Sequence, residues 1–252
     1  MEMMPTFTPA LRLQMIAESG VLRKPALENT DRQLPKQPIC VKVAVEKYIA
    51  MGLLIATQNP GKAREFRALL AHLEAKLCFP SELSLRVEVP EDGTTHADNA
   101  SQKVLAYMRA SGLLTLADDS GLEVDVLDGA PGIHSARYAP GRDADRVEAL
   151  LAQLGDVPWE QRTAWFRCVV AIATPTGELY SAEGVCEGLI ALEPAGQGGF
   201  GYDPVFYLPE YNCTMAELPQ EEKNRISHRA RAIEAALPTL RHLLTQETSA
   251  RR

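Results

Sequence analysis

The chain has 252 residues, of which 46% are hydrophobic and 23% charged, with a formal net charge of −7. That length buries a core without help from disulfides or metals, and the composition excludes a wholly disordered, collagenous or coiled-coil protein. The acidic balance argues against a protein whose task is to grip a nucleic acid backbone, and no run of about 18 apolar residues is present to span a membrane.

The five cysteines, Cys40, Cys78, Cys168, Cys186 and Cys213, are odd in number and widely spaced, with no CxxC. This pattern speaks against a disulfide framework and a zinc site, and it suits a reducing cytoplasm.

The first fifty residues differ from the rest. They carry seven Lys and Arg against five Asp and Glu, whereas the remainder carries 19 against 28. Pro5, Pro9, Pro25, Pro35 and Pro38 interrupt this segment, and it lacks the apolar core of a signal peptide. Residues 1–50 are expected to be an extension, either disordered or preceding a true start at Met51, with a short docking arm as the alternative. Residues 51–252 are expected to form the working domain.

From Met51 the pattern becomes globular. Leu53–Ala56 is an apolar run ending at Thr57-Gln58-Asn59-Pro60-Gly61, which predicts a strand and a turn. Phe66, Leu69, Leu70 and Leu73 follow at helical spacing, and a second helix is predicted from Thr95 to about Ala110. Leu113–Ala117 predicts a short buried strand that ends at Asp118-Asp119-Ser120-Gly121. Val147, Leu150, Leu151 and Leu154 mark a third helix. Ala164–Ala173 and Leu179–Val185 predict an antiparallel hairpin turned at Pro175–Gly177, and Phe200–Leu208 predicts another extended run. Ile226, Ala230, Ile233 and Leu237 describe a last helix, broken or restarted at Pro238. Early alternation with a late hairpin predicts an α/β fold with a mixed sheet.

Several segments carry chemistry. Thr57-Gln58-Asn59-Pro60-Gly61-Lys62 joins a strand to a helix, and a helix start offers free backbone N–H groups to a phosphate. It lacks the first glycine and final hydroxyl of a P-loop, and an ordinary capped turn would use the same residues. Adjacent carboxylates at Asp118 and Asp119 are costly without a cation, and magnesium with phosphate oxygens is the economical partner. A solvated acidic turn is the alternative. Asp125 and Asp128 are expected to face solvent. Asn99 and Lys103 share a helix face, so Lys103 brings charge to a polyphosphate if that face lines a cleft.

Gly196-Gln197-Gly198-Gly199-Phe200-Gly201 matches GxGxxG, yet an extended, proline-containing segment follows instead of a helix. The dinucleotide reading is therefore rejected in favour of a flexible loop that closes on a ligand and presents Phe200 for stacking on a base. Ser227-His228-Arg229 opens the last helix, where His and Arg donors can read a carbonyl on a base edge. No GxSxG and no convincing Cys–His pair support nucleophilic hydrolysis.

In order along the chain, Ile55–Lys62, Ala117–Leu122, Gly129–Tyr138, Gly198–Phe206, Glu221-Glu222-Lys223 and Ile226–Arg229 resemble the non-canonical purine nucleoside triphosphate pyrophosphatases, the inosine/xanthosine triphosphatase-like family of HAM1 type. The resemblance covers about residues 52–245. It implies an elongated mixed central sheet with two lobes around a nucleotide-binding cleft, and a homodimer; the cysteine pattern, charge and hydropathy add the expectation of a cytoplasmic protein with no nucleic acid or membrane partner. It implies Mg2+-dependent hydrolysis of ITP, dITP and XTP to the monophosphate and pyrophosphate.

By position, Asp119 matches the proton acceptor and metal ligand, Glu91 falls near the second metal ligand, and Lys103 joins Asp119 in the catalytic set. Thr57, Gln58, Asn59, Pro60, Gly61, Lys62 and Lys223 are expected on the phosphates. Ser120, Phe200, Gly201, Tyr202, Asp203, His228 and Arg229 are expected on the nucleoside, with donors of His228 or Arg229 meeting the 6-oxo group. His134 is assigned no role. A Maf-like pyrophosphatase acting on modified pyrimidine nucleotides and a non-catalytic nucleotide sensor are the rival readings.

Overall fold

A computed structural model describes residues 14–15, 22–24 and 52–250 of the chain. The elements in chain order are β1 (Gln14–Met15), β2 (Leu22–Lys24), β3 (Gly52–Ile55), α1 (Pro60–Leu69), β4 (Lys76–Cys78), α2 (His96–Ser111) and β5 (Leu114–Val124). They continue with α3 (Asp143–Leu154), β6 (Thr163–Ala173), β7 (Leu179–Ile190), β8 (Phe206–Leu208), β9 (Cys213–Thr214), α4 (Gln220–Ile226) and α5 (His228–Ala250). The sheet runs β1-β2-β7-β6-β5-β3-β4, with β8 and β9 added beyond the end of β7. Only the β3–β4 and β3–β5 pairs are parallel among the described strands, so the fold is α/β with a mixed sheet, as the alternation predicts.

Within the expected extension, β1 pairs with β2, and β2 lies antiparallel to the start of β7 with Leu22 opposite Ser181. The rest of that extension, and with it the readings of disorder, a late start or a docking arm, lies outside the described residues.

Strand alternation sorts the core into layers. Leu53 and Ile55 face one side, where Phe66 and Leu70 meet Ile233, Ala236 and Leu240 of α5. Leu54 and Ala56 face the other, against Ala100, Val104 and Met108 of α2. The far halves of β5, β6 and β7 build a second lobe, in which Leu122, Phe166 and Ile190 pack with Val147 and Leu150 of α3 and with Phe206. The long strands therefore pass through both lobes, and residues 118–121 sit where the lobes meet.

Three sequence expectations change. The strand expected to stop at Ala117 continues to Val124, so Asp118-Asp119-Ser120-Gly121 lies within β5 and not in a turn beyond it. Charge in mid-strand is tolerated because each carboxylate has a partner waiting on its own face. The extended run expected over Phe200–Leu208 is a turn and a short 3₁₀ segment at Asp203–Val205, with a strand only from Phe206. The last helix is not interrupted at Pro238. Pro238 and Glu234, whose carbonyl loses its partner, are both exposed, while Ile233, Ala236 and Leu240 hold the buried side on either flank.

Candidate active site

The loop from β3 to α1 opens the site. Asn59 caps the helix, its Oδ1 accepting from Gly61 N at 2.8 Å and Lys62 N at 3.1 Å. Two of the amides that the sequence reading leaves free for phosphate are thus occupied by this side chain. Gly61 is small for a visible reason: a Cβ there would lie 2.6 Å from the Phe200 ring. Lys62 extends inward to Asp118 Oδ2 at 3.0 Å.

Behind this loop lies a buried, charge-balanced network. Arg229 donates to Asp118 Oδ2 from Nε at 3.2 Å and from Nη2 at 2.9 Å, to Ser120 Oγ at 2.9 Å, and to Glu65 Oε2. Lys223 pairs with Glu65 Oε1 at 2.8 Å and with Asp203 Oδ2. Three carboxylates, Glu65, Asp118 and Asp203, thereby face three cations, Lys62, Lys223 and Arg229. Burial pushes the Asp118 carboxyl up, but Lys62, Arg229 and Lys103 outweigh it and hold it below its ordinary value. Glu65 behaves alike under Arg229 and Lys223. For Asp203 burial wins over the pull of Lys223, and its carboxyl is raised.

On the opposite face of β5 stands Asp119. Its Oδ2 accepts from Asn99 Nδ2 at 3.3 Å and lies 2.7 Å from His96 Nδ1. Burial raises this carboxyl, and the His96 hydrogen bond with the Lys62, His96 and Lys103 charges brings it below the ordinary range, so it stays ionised. Lys103 reaches Glu91 Oε1 at 2.6 Å and the Asp118 carbonyl oxygen at 3.2 Å. Burial pulls its ammonium down, but Asp118, Glu91 and Asp119 raise it, so it remains a cation. Arg137 also holds Glu91, donating to its carbonyl oxygen at 3.0 Å.

Aromatic groups line the same cleft beside these charges. Phe200 N donates to Asp203 Oδ2 at 2.7 Å, Gly201 N to Asp143 Oδ2 at 2.6 Å, and Gly198 N to the Ala216 carbonyl oxygen at 2.9 Å. The glycine loop presents Phe200 as expected, but as a tethered element and not a loose flap. Tyr202 OH donates to the Ser135 carbonyl oxygen at 2.9 Å, and burial raises its phenol. His228 stacks on Phe166 with ring centroids 4.6 Å apart and 18° between planes. Burial, followed by the Arg229 and Lys223 charges, lowers its imidazole well below 6.5, so the ring is neutral.

These groups line one cleft of about 390 Å³, inside the range for small-molecule sites. Thr57, Gln58, Asn59, Lys62, Glu91, Lys103, Asp119, Ser120, Phe200, Gly201, Tyr202, Asp203, Lys223, His228 and Arg229 all border it. Pro60 and Gly61 complete the cap of α1 beside it. Asp125 meets Thr163 and Trp165 at the surface, and His134 accepts from Arg137 at 3.2 Å.

Sequence reasoning overlooked His96 and Glu65; it expects only one of Asp118 and Asp119 to enter the cleft, but gives Asp118 no partner. A signal existed for the first: His96, Asn99 and Lys103 fall at i, i+3 and i+7, one face of α2. Among the described residues no three His, Cys, Asp or Glu side chains gather to hold a metal by themselves. Magnesium bound through one or two carboxylates and substrate phosphates needs no more than Asp119 and Glu91 supply, so the donor set fits.

A mixed α/β sheet carrying acidic groups, basic groups and aromatic rings around one cleft defines a nucleotide-site protein. The Ham1 family model matches residues 53–239, and the chain belongs to that family. It is 51% identical over 195 residues to a dITP/XTP pyrophosphatase of Desulforamulus reducens, covering 77% of this chain and 97% of the relative. A dITP/XTP pyrophosphatase of Geobacillus kaustophilus is also 51% identical, over 72% of this chain and 90% of its own. A solved HAM1 protein from Coxiella burnetii superposes with a TM-score of 0.68 and 40% identity, over 78% of this chain and 99% of that one.

Proposed function

We propose that this chain is a nucleoside triphosphate pyrophosphatase that hydrolyses ITP, dITP and XTP between the α- and β-phosphates, releasing the monophosphate and pyrophosphate and so cleaning the nucleotide pool. The observation that carries this reading is the convergence of Asp119, Glu91, Lys62 and Lys103 on one cleft that Phe200, Tyr202 and His228 also line. Membership of the Ham1 family favours purine substrates over the Maf-like alternative.

Each group has work suited to its chemistry. Lys62 and Lys103 counter the charge of the triphosphate, which is most of what phosphoryl chemistry asks of a protein. Lys223 stands behind them, already shared between Glu65 and Asp203, and adds positive potential from the base of the cleft. Asp119 and Glu91 would hold Mg2+, and when bound the ion supplies charge neutralisation and an acidified water. Asp119 also accepts the proton of the attacking water. Phe200 offers a stacking face to the base.

His228, neutral and bearing one ring N–H, donates to the 6-oxo group of hypoxanthine or xanthine. The amino group of adenine would set donor against donor, a mismatch that can reject a substrate by roughly 10⁴–10⁵. The guanidinium of Arg229 is engaged by Asp118, Glu65 and Ser120, so it fixes the wall on which this reading occurs.

We place the protein in the cytoplasm as a homodimer. No helix among the described residues is long and apolar enough to cross a membrane. The deciding experiment offers ITP, XTP, ATP and GTP with Mg2+ and follows pyrophosphate. Release from ITP and XTP, abolished by a chelator, is expected. Equal rates on all four would remove the selectivity, orthophosphate in place of pyrophosphate would remove the bond assignment, and tight binding without turnover would leave a sensor.

A further inference from the structure

His96 begins α2, is 5% exposed, and was given no part by its sequence pattern. Its Nδ1 lies 2.7 Å from Asp119 Oδ2. Asp119 Oδ2 already accepts from Asn99 Nδ2, so it is the acceptor here too and the proton lies on Nδ1. The other ring nitrogen, Nε2, is buried without a hydrogen-bond partner, and the nearest carboxylate oxygen, Glu123 Oε1, stands 3.9 Å away. An imidazole buried with one nitrogen unsatisfied is an expensive way to fill space. A phenyl ring would fill the same volume without that cost, so the nitrogen facing Asp119 is what the position uses.

The second donor on Asp119, Asn99 Nδ2, also goes to Oδ2, and Asn99 is itself fixed by accepting from Gly93 N at 2.9 Å. Both donors therefore pull on one oxygen of the carboxylate. Gly121, two residues along β5, keeps room for the ring: a Cβ there would lie 2.8 Å from His96 Cε1.

We propose that His96 is a positioning residue for hydrolysis, fixing Asp119 through Nδ1–H so that its free oxygen is presented to the cleft and to the metal–triphosphate complex. This rests on the pyrophosphatase reading above. An aligned acceptor needs no reorganisation at the moment of reaction, and partners that orient ligating carboxylates act in this way.

Two variants test it. His96→Phe keeps the ring volume and removes the donor, while His96→Asn returns an amide N–H close to the Nδ1 position. His96→Phe is expected to lower kcat by about tenfold or more and to raise the Mg2+ concentration needed for half-maximal rate, with KM for ITP and the unfolding midpoint nearly unchanged. His96→Asn recovers most of the loss. In the parent protein, a ¹⁵N-resolved histidine spectrum is expected to show the Nδ1–H tautomer for His96, with a resonance that shifts when Mg2+ and a non-hydrolysable triphosphate bind.

Equal impairment of both variants would overturn the proposal, as would parental kcat in His96→Phe. If His96→Phe does not fold, an Nε2–H tautomer, or a His96 signal indifferent to metal and nucleotide, overturns it instead. A parent that releases no pyrophosphate from ITP would sink the functional reading itself, an outcome separate from these.

Discussion

Asp118 and Asp119 are neighbours in the chain, and their carboxylates serve opposite faces of β5. Asp118 Oδ2 lies 3.0 Å from Lys62 Nζ and 2.9 Å from Arg229 Nη2, while Asp119 Oδ2 lies 2.7 Å from His96 Nδ1. Alternation along a strand produces this separation without any turn. The pair is therefore an anchor for α1 and α5 on one side and, in the proposed function, the reactive acceptor on the other.

The two neighbours should fail differently. Asp119→Asn preserves the shape of the side chain and should leave the urea midpoint close to that of the parent, while pyrophosphate release falls by about 10²–10⁴-fold. Asp118→Asn leaves Lys62 and Arg229 facing a neutral amide. Removing one partner of a buried pair costs about 3–5 kcal/mol, so this variant should lose stability first. A stable, inactive Asp118→Asn with a fully active Asp119→Asn would reverse the assignment.

Glu65 offers a second test of the network. Its two oxygens divide between Lys223 at 2.8 Å and Arg229. Glu65→Gln is expected to destabilise the protein by about 3 kcal/mol. Lys223→Met should also destabilise, because Asp203 and Glu65 lose their shared cation. In the double variant the losses should fall short of additive by about 1–3 kcal/mol, measured as a cycle in urea. Strict additivity would mean that the pair does not interact.

Much of this architecture was legible from periodicity alone. Leu53–Ile55, the α2 face and the β6–β7 hairpin follow from apolar spacing, because packing decides those residues. The errors cluster where partners distant in sequence override a local rule. Nothing near Asp118 announces Lys62 or Arg229, so a strand through two carboxylates reads as a turn. Nothing near Pro238 announces that its exposed side is free of packing. His96 was obscured for the same reason: its one meaningful contact is 23 residues away.

Two glycines separate a local requirement from a global one. At Gly61 a Cβ would meet the edge of the Phe200 side chain at 2.6 Å, and at Gly184 it would meet backbone, Ala232 N at 2.2 Å and His228 O at 2.3 Å. Gly61→Ala gains helix propensity of up to about 1 kcal/mol at the start of α1, so its stability should change little. The displaced Phe200 ring should instead raise KM for ITP. Gly184→Ala must push β7 from α5 and should cost about 3 kcal/mol or more. An unaltered KM in Gly61→Ala would show that the Phe200 ring position does not matter to substrate.

Stability should decline with acid in two stages. His228 is held neutral, with its folded value well below 6.5, while the unfolded chain protonates it near 6.5. Below pH 6.5 the unfolded state binds the extra proton, so stability falls as pH falls, by at most about 1.4 kcal/mol per pH unit, and is flat above 6.5. Glu65 and Asp118 have folded values below 4.5 and 3.8, so their contribution is present above those values and is lost beneath them. Asp203, whose folded value is raised, acts in the opposite sense and earlier: stability gains as pH falls from that raised value to about 3.8, and the gain is complete beneath it. Urea unfolding at pH 8, 7, 6 and 5 isolates the first stage. The parent should lose stability between pH 6.5 and 5, and His228→Gln should flatten that limb whatever its absolute stability. The same slope in the variant would assign the proton uptake to another group.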